Sequence, residues 1–138
     1  MPLGAFRRIF LVGDLALKFP RCRDIPSGLR CNRWEREMWN TWRPAFGWEN
    51  LCPVLFADPF GLLVIMPRAE QPVTFEDVVA ATPDYYPDTT TETKPADFGR
   101  VGNNVVALDY GLPDADMVAE RRAYYRSKLP PAPDVSRS

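Results

Sequence analysis

Residues 90–111 read TTETKPADFGRVGNNVVALDYG. A polar loop leads into an apolar step, Phe98-Gly99, and Gly102-Asn103-Asn104 makes a tight turn. The β-branched run Val105-Val106-Ala107-Leu108 reads as a short buried strand, and Asp109-Tyr110-Gly111 follows it directly. A strand fixes a carboxylate placed at its mouth, and a glycine after it lets the backbone leave without steric conflict. Such a carboxylate suits a hard divalent cation. Glu92, Asp97 and Asp109 form an ordered series, five and then twelve residues apart.

This stretch resembles the catalytic and metal loops of the protein-kinase-like phosphotransferases, whose signature is H-R-D-L-x-x-x-N followed by D-F-G. Residues 90–97 fall on the first motif without a gap, and Asp109-Tyr110-Gly111 falls on the second. Lys94-Pro95 matches a dipeptide common in that loop. Threonines stand at the histidine and arginine positions, Glu92 at the catalytic aspartate and Asp97 at the metal-binding asparagine. The literal Asp97-Phe98-Gly99 fits the metal motif worse, because it would put Val79 and Asp84 on the catalytic-loop positions.

Upstream, Phe6 to Val12 and Leu15 to Phe19 are apolar runs separated by Gly13-Asp14, the pattern of a two-residue type II′ hairpin. The second run, Leu15-Ala16-Leu17-Lys18-Phe19, resembles the family's lysine strand, V-A-I-K. A lysine in an alternating strand can also simply face water. The spacing predicts a helix over residues 27–42 with Ser27 as N-cap. Cys31, Trp34, Met38 and Trp42 fall on one face of it, with Glu35 on the same face and Glu37 well away. A buried carboxylate needs a partner, and in the family a helix glutamate pairs with the strand lysine. The resemblance therefore pairs Glu35 with Lys18; the alternative has Glu35 at the edge of the stripe, in water.

Leu51 to Ala57 and Leu62 to Met66 read as a hairpin around Asp58-Pro59-Phe60-Gly61. By order they resemble the family's fourth and fifth strands, and the resemblance then implies Pro67, Arg68, Ala69 and Glu70 as the hinge whose backbone reads the adenine edge; a generic domain could also have a turn there. Thr74 to Ala81 reads as a short helix with Thr74 capping and Asp77 three residues later. Asp114 to Lys128 is a helical pattern with acids early and bases late.

Composition narrows the functional classes. The chain has 138 residues, 46% apolar and 25% charged, which suits one ordinary globular domain. A net charge of −1 provides no field for nucleic acid or an anionic membrane. No apolar run approaches the roughly 20 residues that span a bilayer, and the first ten residues lack a signal peptide's apolar region. Cys22, Cys31 and Cys52 read as reduced thiols of a cytoplasmic protein, and the absence of histidine removes the commonest general base.

The expectation is an α+β fold: a kinase-like N-lobe, an antiparallel sheet with one packed helix, joined to a severely reduced C-lobe. The single domain spans 1–128, with the N-lobe at about 1–66, the hinge at 67–70 and the reduced C-lobe at 71–128; 129–138 is a disordered tail. No G-x-G-x-x-G precedes Lys18, and 27 residues follow Gly111 with no A-P-E. The resemblance implies Lys18, Glu35 and Glu92 as catalytic residues, with Lys18, Pro67, Arg68 and Ala69 binding nucleotide. Asp97 and Asp109 would hold Mg²⁺ or Mn²⁺ with ATP. The missing parts point to a degenerate, pseudokinase-like module that keeps residual nucleotide or metal binding and acts by binding a protein partner. A homodimer could supply what one chain lacks. The alternative is an active minimal phosphotransferase acting on a protein or small-molecule hydroxyl.

Overall fold

The computed structural model describes residues 7–81 and 97–129. It is a mixed α+β structure with antiparallel sheets. Strands β1 (Arg7–Val12) and β2 (Leu15–Pro20) form the expected hairpin, with Gly13 at φ 57° in its turn. The two-residue connection fixes the register, pairing Ile9 with Lys18 and Arg7 with Pro20. Strand period two then puts Arg7, Ile9, Lys18 and Pro20 on one face. With β3 (Phe56–Ala57) and β4 (Val64–Pro67) they make a four-stranded antiparallel sheet in the order β1-β2-β4-β3.

Helix α1 (Ile25–Glu37) lies against β2 and starts earlier than expected. Asp24 is the N-cap, its carboxylate accepting from Ser27 N–H at 3.2 Å, and Pro26 occupies the first turn. A proline in that turn lacks only an N–H that has no helical partner anyway, so the helix begins ahead of it rather than at Ser27. The expected stripe is buried: Cys31, Trp34, Glu35, Met38 and Trp42 are all inside. The last turn widens into a π turn, Met38–Trp42, where Arg43 N–H reaches Met38 O. Pro44 follows in the short helix α2 (Arg43–Phe46). Its ring cannot take the regular position against the carbonyl four residues back, and a widened turn accommodates it.

The segment after α2 does not lengthen β3 as the sequence predicts. Leu51 makes a parallel bridge to Ala107, with Cys52 N–H donating to Ala107 O at 2.9 Å and Ala107 N–H to Asn50 O at 2.8 Å. The prolines and short runs here leave only Phe56 and Ala57 paired with β4. The turn behaves as read: Asp58 Oδ2 accepts from Phe60 and Leu62 N–H. Gly61 sits at φ 85°, where an added Cβ would lie 2.3 Å from Leu29 O, so α1 requires glycine there.

Helix α3 (Phe75–Ala81) has the predicted reciprocal cap between Thr74 and Asp77. Strands β5 (Phe98–Val101) and β6 (Asn104–Ala107) form the second hairpin, joined at its outer edge to Glu70. Helix α4 (Ala115–Lys128), capped by Asp114, returns over α1. Its buried Tyr125 packs on Trp42, Phe46, Trp48 and Trp34, with ring centroids 5.3–6.4 Å away. These rings continue into the core through Met38, Val64, Met66, Val106 and Leu112. Among the described residues no helix is long and apolar enough to cross a membrane.

Candidate functional site

The inward face of β1 and β2, the buried stripe of α1 and the end of β6 converge on five polar side chains. Glu35 is fully buried, and Lys18 and Arg7 are 2% and 3% exposed. Lys18 Nζ donates to both carboxylate oxygens of Glu35 at 3.1 Å, and also to Leu108 O. Arg7 Nη1 donates to Glu35 Oε1 at 2.5 Å and to Asn32 Oδ1 at 3.2 Å, while Nη2 donates to Asp109 Oδ1. Tyr110 N–H donates to Glu35 Oε2 at 3.0 Å. Asn32 Nδ2 donates to the carbonyls of Lys18 (3.1 Å) and Gly61 (2.9 Å), holding strand and turn against the helix.

Two cations and two anions close this network on itself, which is why it can be buried at all. Burial alone would favour a neutral Arg7, but Glu35 and then Asp109 outweigh it and hold the guanidinium firmly charged. Burial dominates at Lys18 and pushes its pKa down despite Glu35. At Asp109 burial raises the pKa, but Arg7 and Lys18 hold the carboxyl below its ordinary range. Asp109 is the network's outlet to water, its side chain 44% exposed. Cys31 and Cys52, both close by, are pushed up to about 12 by burial.

Tyr110 anchors the segment after β6 twice, through its N–H on Glu35 and through its hydroxyl on Cys52 O at 2.8 Å. Gly111 is required by proximity rather than by an unusual turn. A Cβ there would meet Cys31 Cβ and O at 2.9 Å, so the chain leaves Asp109 flush against α1.

Of the residues singled out from the sequence, Lys18, Glu35 and Asp109 come together; Lys18 faces inward, not outward. Glu92 lies outside the described residues. Asp97 stands just before β5 and its carbonyl accepts from Leu108 N–H at 2.8 Å. The adjoining Phe98 and Gly99 are buried in the hairpin. The backbone at 67–70 is largely engaged within the fold: Pro67 ends β4, Arg68 N–H donates to Asp14 O at 2.7 Å, and Glu70 exchanges both backbone bonds with Arg100. Arg7 Nη2 engages Oδ1 of Asp109, one of that carboxylate's two oxygens. Among the described residues no cluster of three or more His, Cys, Asp or Glu side chains could hold a metal ion.

Arg7 and Asn32 are the residues that sequence reasoning missed. The hairpin register carried a signal for Arg7, since a two-residue turn at Gly13-Asp14 puts Arg7 on the same face as Lys18. Asn32 lies three residues before Glu35, neighbouring it on the helix surface. Comparison with known proteins found no matching family model, curated protein or solved structure.

Proposed function

We propose that this chain is a reduced kinase-like protein whose phosphate-and-metal site has become a closed internal ion network, and that it acts by binding a protein partner rather than by phosphoryl transfer. One observation carries the reading: Arg7 spends its guanidinium on both Glu35 and Asp109. A phosphotransferase site needs cations left over for phosphate oxygens and carboxylates left over for metal. Here each charge is answered from within the chain. The order lysine strand, glutamate helix, then Asp109-Tyr110-Gly111, with an antiparallel sheet against the helix, supports the kinase-like part of the reading.

The Lys18–Glu35 pair favours a second reading, residual binding of ATP with Mg²⁺ or Mn²⁺ or weak phosphotransferase activity. In it Lys18 holds phosphates, Glu35 orients Lys18, and Pro67 to Ala69 face the base. That reading requires Arg7 to leave Asp109. Thermal unfolding with millimolar ATP and Mg²⁺ or Mn²⁺ separates the two, because a ligand at 100 times its dissociation constant adds about 2.7 kcal/mol. The binding-protein reading expects no rise in midpoint for the wild type. A metal-dependent rise of several degrees that Asp109→Ala abolishes would overturn it in favour of a live nucleotide site.

A further inference from the structure

The groove between α1 and α4 gathers more arginines than the one carboxylate beside them can neutralise. Its larger cleft, about 550 Å³, is lined by Arg33, Arg36, Glu37, Trp42, Arg122 and Arg126 among others. A second cleft of about 330 Å³ shares Arg33, Glu37 and Arg122 and adds Arg30. Glu37 is the one carboxylate lining either cleft among the described residues, and it already accepts three hydrogen bonds. It accepts from Arg122 Nη2 and Nε at 2.7 and 2.9 Å and from Trp42 Nε1 at 3.0 Å. Arg33 and Arg36 make no salt bridge among the described residues, and Arg126 lies near enough to Glu37 to interact with its charge without contacting it. Arg33 reaches only a backbone carbonyl, Phe60 O at 3.4 Å.

The last-turn positions of Arg36 and Arg126 suit the helix dipoles, but the spacing of the arginines does not. Arg30, Arg33 and Arg36 recur at i, i+3, and Arg122 and Arg126 stand at i, i+4, spacings at which like charges repel. The chain as a whole carries −1, so the groove is a local segregation of charge and not the side effect of a basic protein. Guanidiniums pair with carboxylates in a fixed bidentate geometry, and clusters of them recognise acidic motifs. The two clefts adjoin along the paired helices, a shape that suits an extended chain carrying several carboxylates better than one compact anion.

We infer that the α1–α4 groove is a docking site for an acidic peptide segment of a partner protein. The inference rests on the reading of this chain as a binding protein, but its test does not touch the Arg7 network, so either can fail alone. The experiment is fluorescence anisotropy of a labelled poly-glutamate peptide with the full chain, at about 0.01 M and about 0.15 M salt. A poly-glutamine peptide, the double variant R36Q/R126Q and the equal-charge double variant R8Q/R23Q, drawn from exposed arginines elsewhere, are the controls.

The expected result is poly-glutamate binding that weakens with salt and no binding of poly-glutamine. R36Q/R126Q weakens it about tenfold with an unchanged melting midpoint, while R8Q/R23Q leaves it intact. No binding by the wild type at low salt would overturn the inference, and so would equal weakening by R8Q/R23Q. Protection of the groove arginines by inorganic phosphate without any peptide binding would overturn it in favour of a small-anion site.

Discussion

Replacing Glu35 by glutamine isolates the energetic weight of the buried network, because the side chain keeps its shape and loses only its charge. Glu35 accepts from Arg7, from Lys18 through both oxygens, and from Tyr110 N–H. All of these are donors. A glutamine amide keeps one acceptor oxygen and turns its NH₂ toward at least one of them, donor against donor. Two nearly fully buried cations are then left with Asp109 as their one counter-charge. Breaking a buried pair by removing one partner costs about 3–5 kcal/mol. For a domain of this length that lowers the midpoint by roughly 10–20 °C. Thermal and urea unfolding followed by circular dichroism measure it. The double variant Lys18→Met/Glu35→Gln should recover part of the loss, since it removes a stranded cation together with its partner. A loss below about 1 kcal/mol for Glu35→Gln would mean that water reaches these charges, and the closed network would be refuted.

Tyr125→Ala should cost about 3–5 kcal/mol by opening the ring cluster that seats α4, seen as a lowered midpoint with loss of near-ultraviolet dichroism. Gly111→Ala should cost about 1–3 kcal/mol, because its Cβ would run into Cys31, and a neutral result would contradict the close approach. Asp109 has a depressed folded-state pKa, so its contribution is present above its ordinary value of 3.8 and is lost as pH falls below that. The midpoint of the wild type should therefore fall more steeply in that acid window than that of Asp109→Asn. A thiol titration of the native protein near neutral pH should find one fast group, the exposed Cys22, and all three after unfolding. Burial holds Cys31 and Cys52 up at about 12, far from their thiolates.

Much of this architecture is legible in the sequence because its signals are local. The Gly13-Asp14 turn, the Thr74/Asp77 cap, the Gly102 turn and the α1 stripe each depend on residues a few positions apart. What was misread depends on competition between neighbours. Asp24 displaces Ser27 as the cap because Pro26 suits the first turn, and Pro44 widens a helix that periodicity alone would draw as regular. Leu51 and Cys52 look like part of a hairpin but find their backbone partners at Ala107, far along the chain. The site was half visible. Lys18 and Asp109 stand out as charges in or at the end of apolar runs and Glu35 as a carboxylate on an apolar helix face, whereas Arg7 looks like an ordinary basic residue. Its role appears only when strand register is combined with a carboxylate more than a hundred positions later.

That separation, 102 residues between Arg7 and Asp109, bears on how the chain is made. Strand β1 carries a cation meant for burial, and one of its two counter-charges is made about a hundred residues later. Until then Arg7 and Lys18 must share Glu35 alone, so the hairpin has reason to stay hydrated rather than collapse onto α1. Closing so long a loop carries an entropic cost that slows folding relative to a chain of local contacts. The appearance of Asp109, more than formation of any single helix, should therefore time the burial of the network. A chain interrupted before Asp109 would leave its β1–β2 hairpin open to proteases.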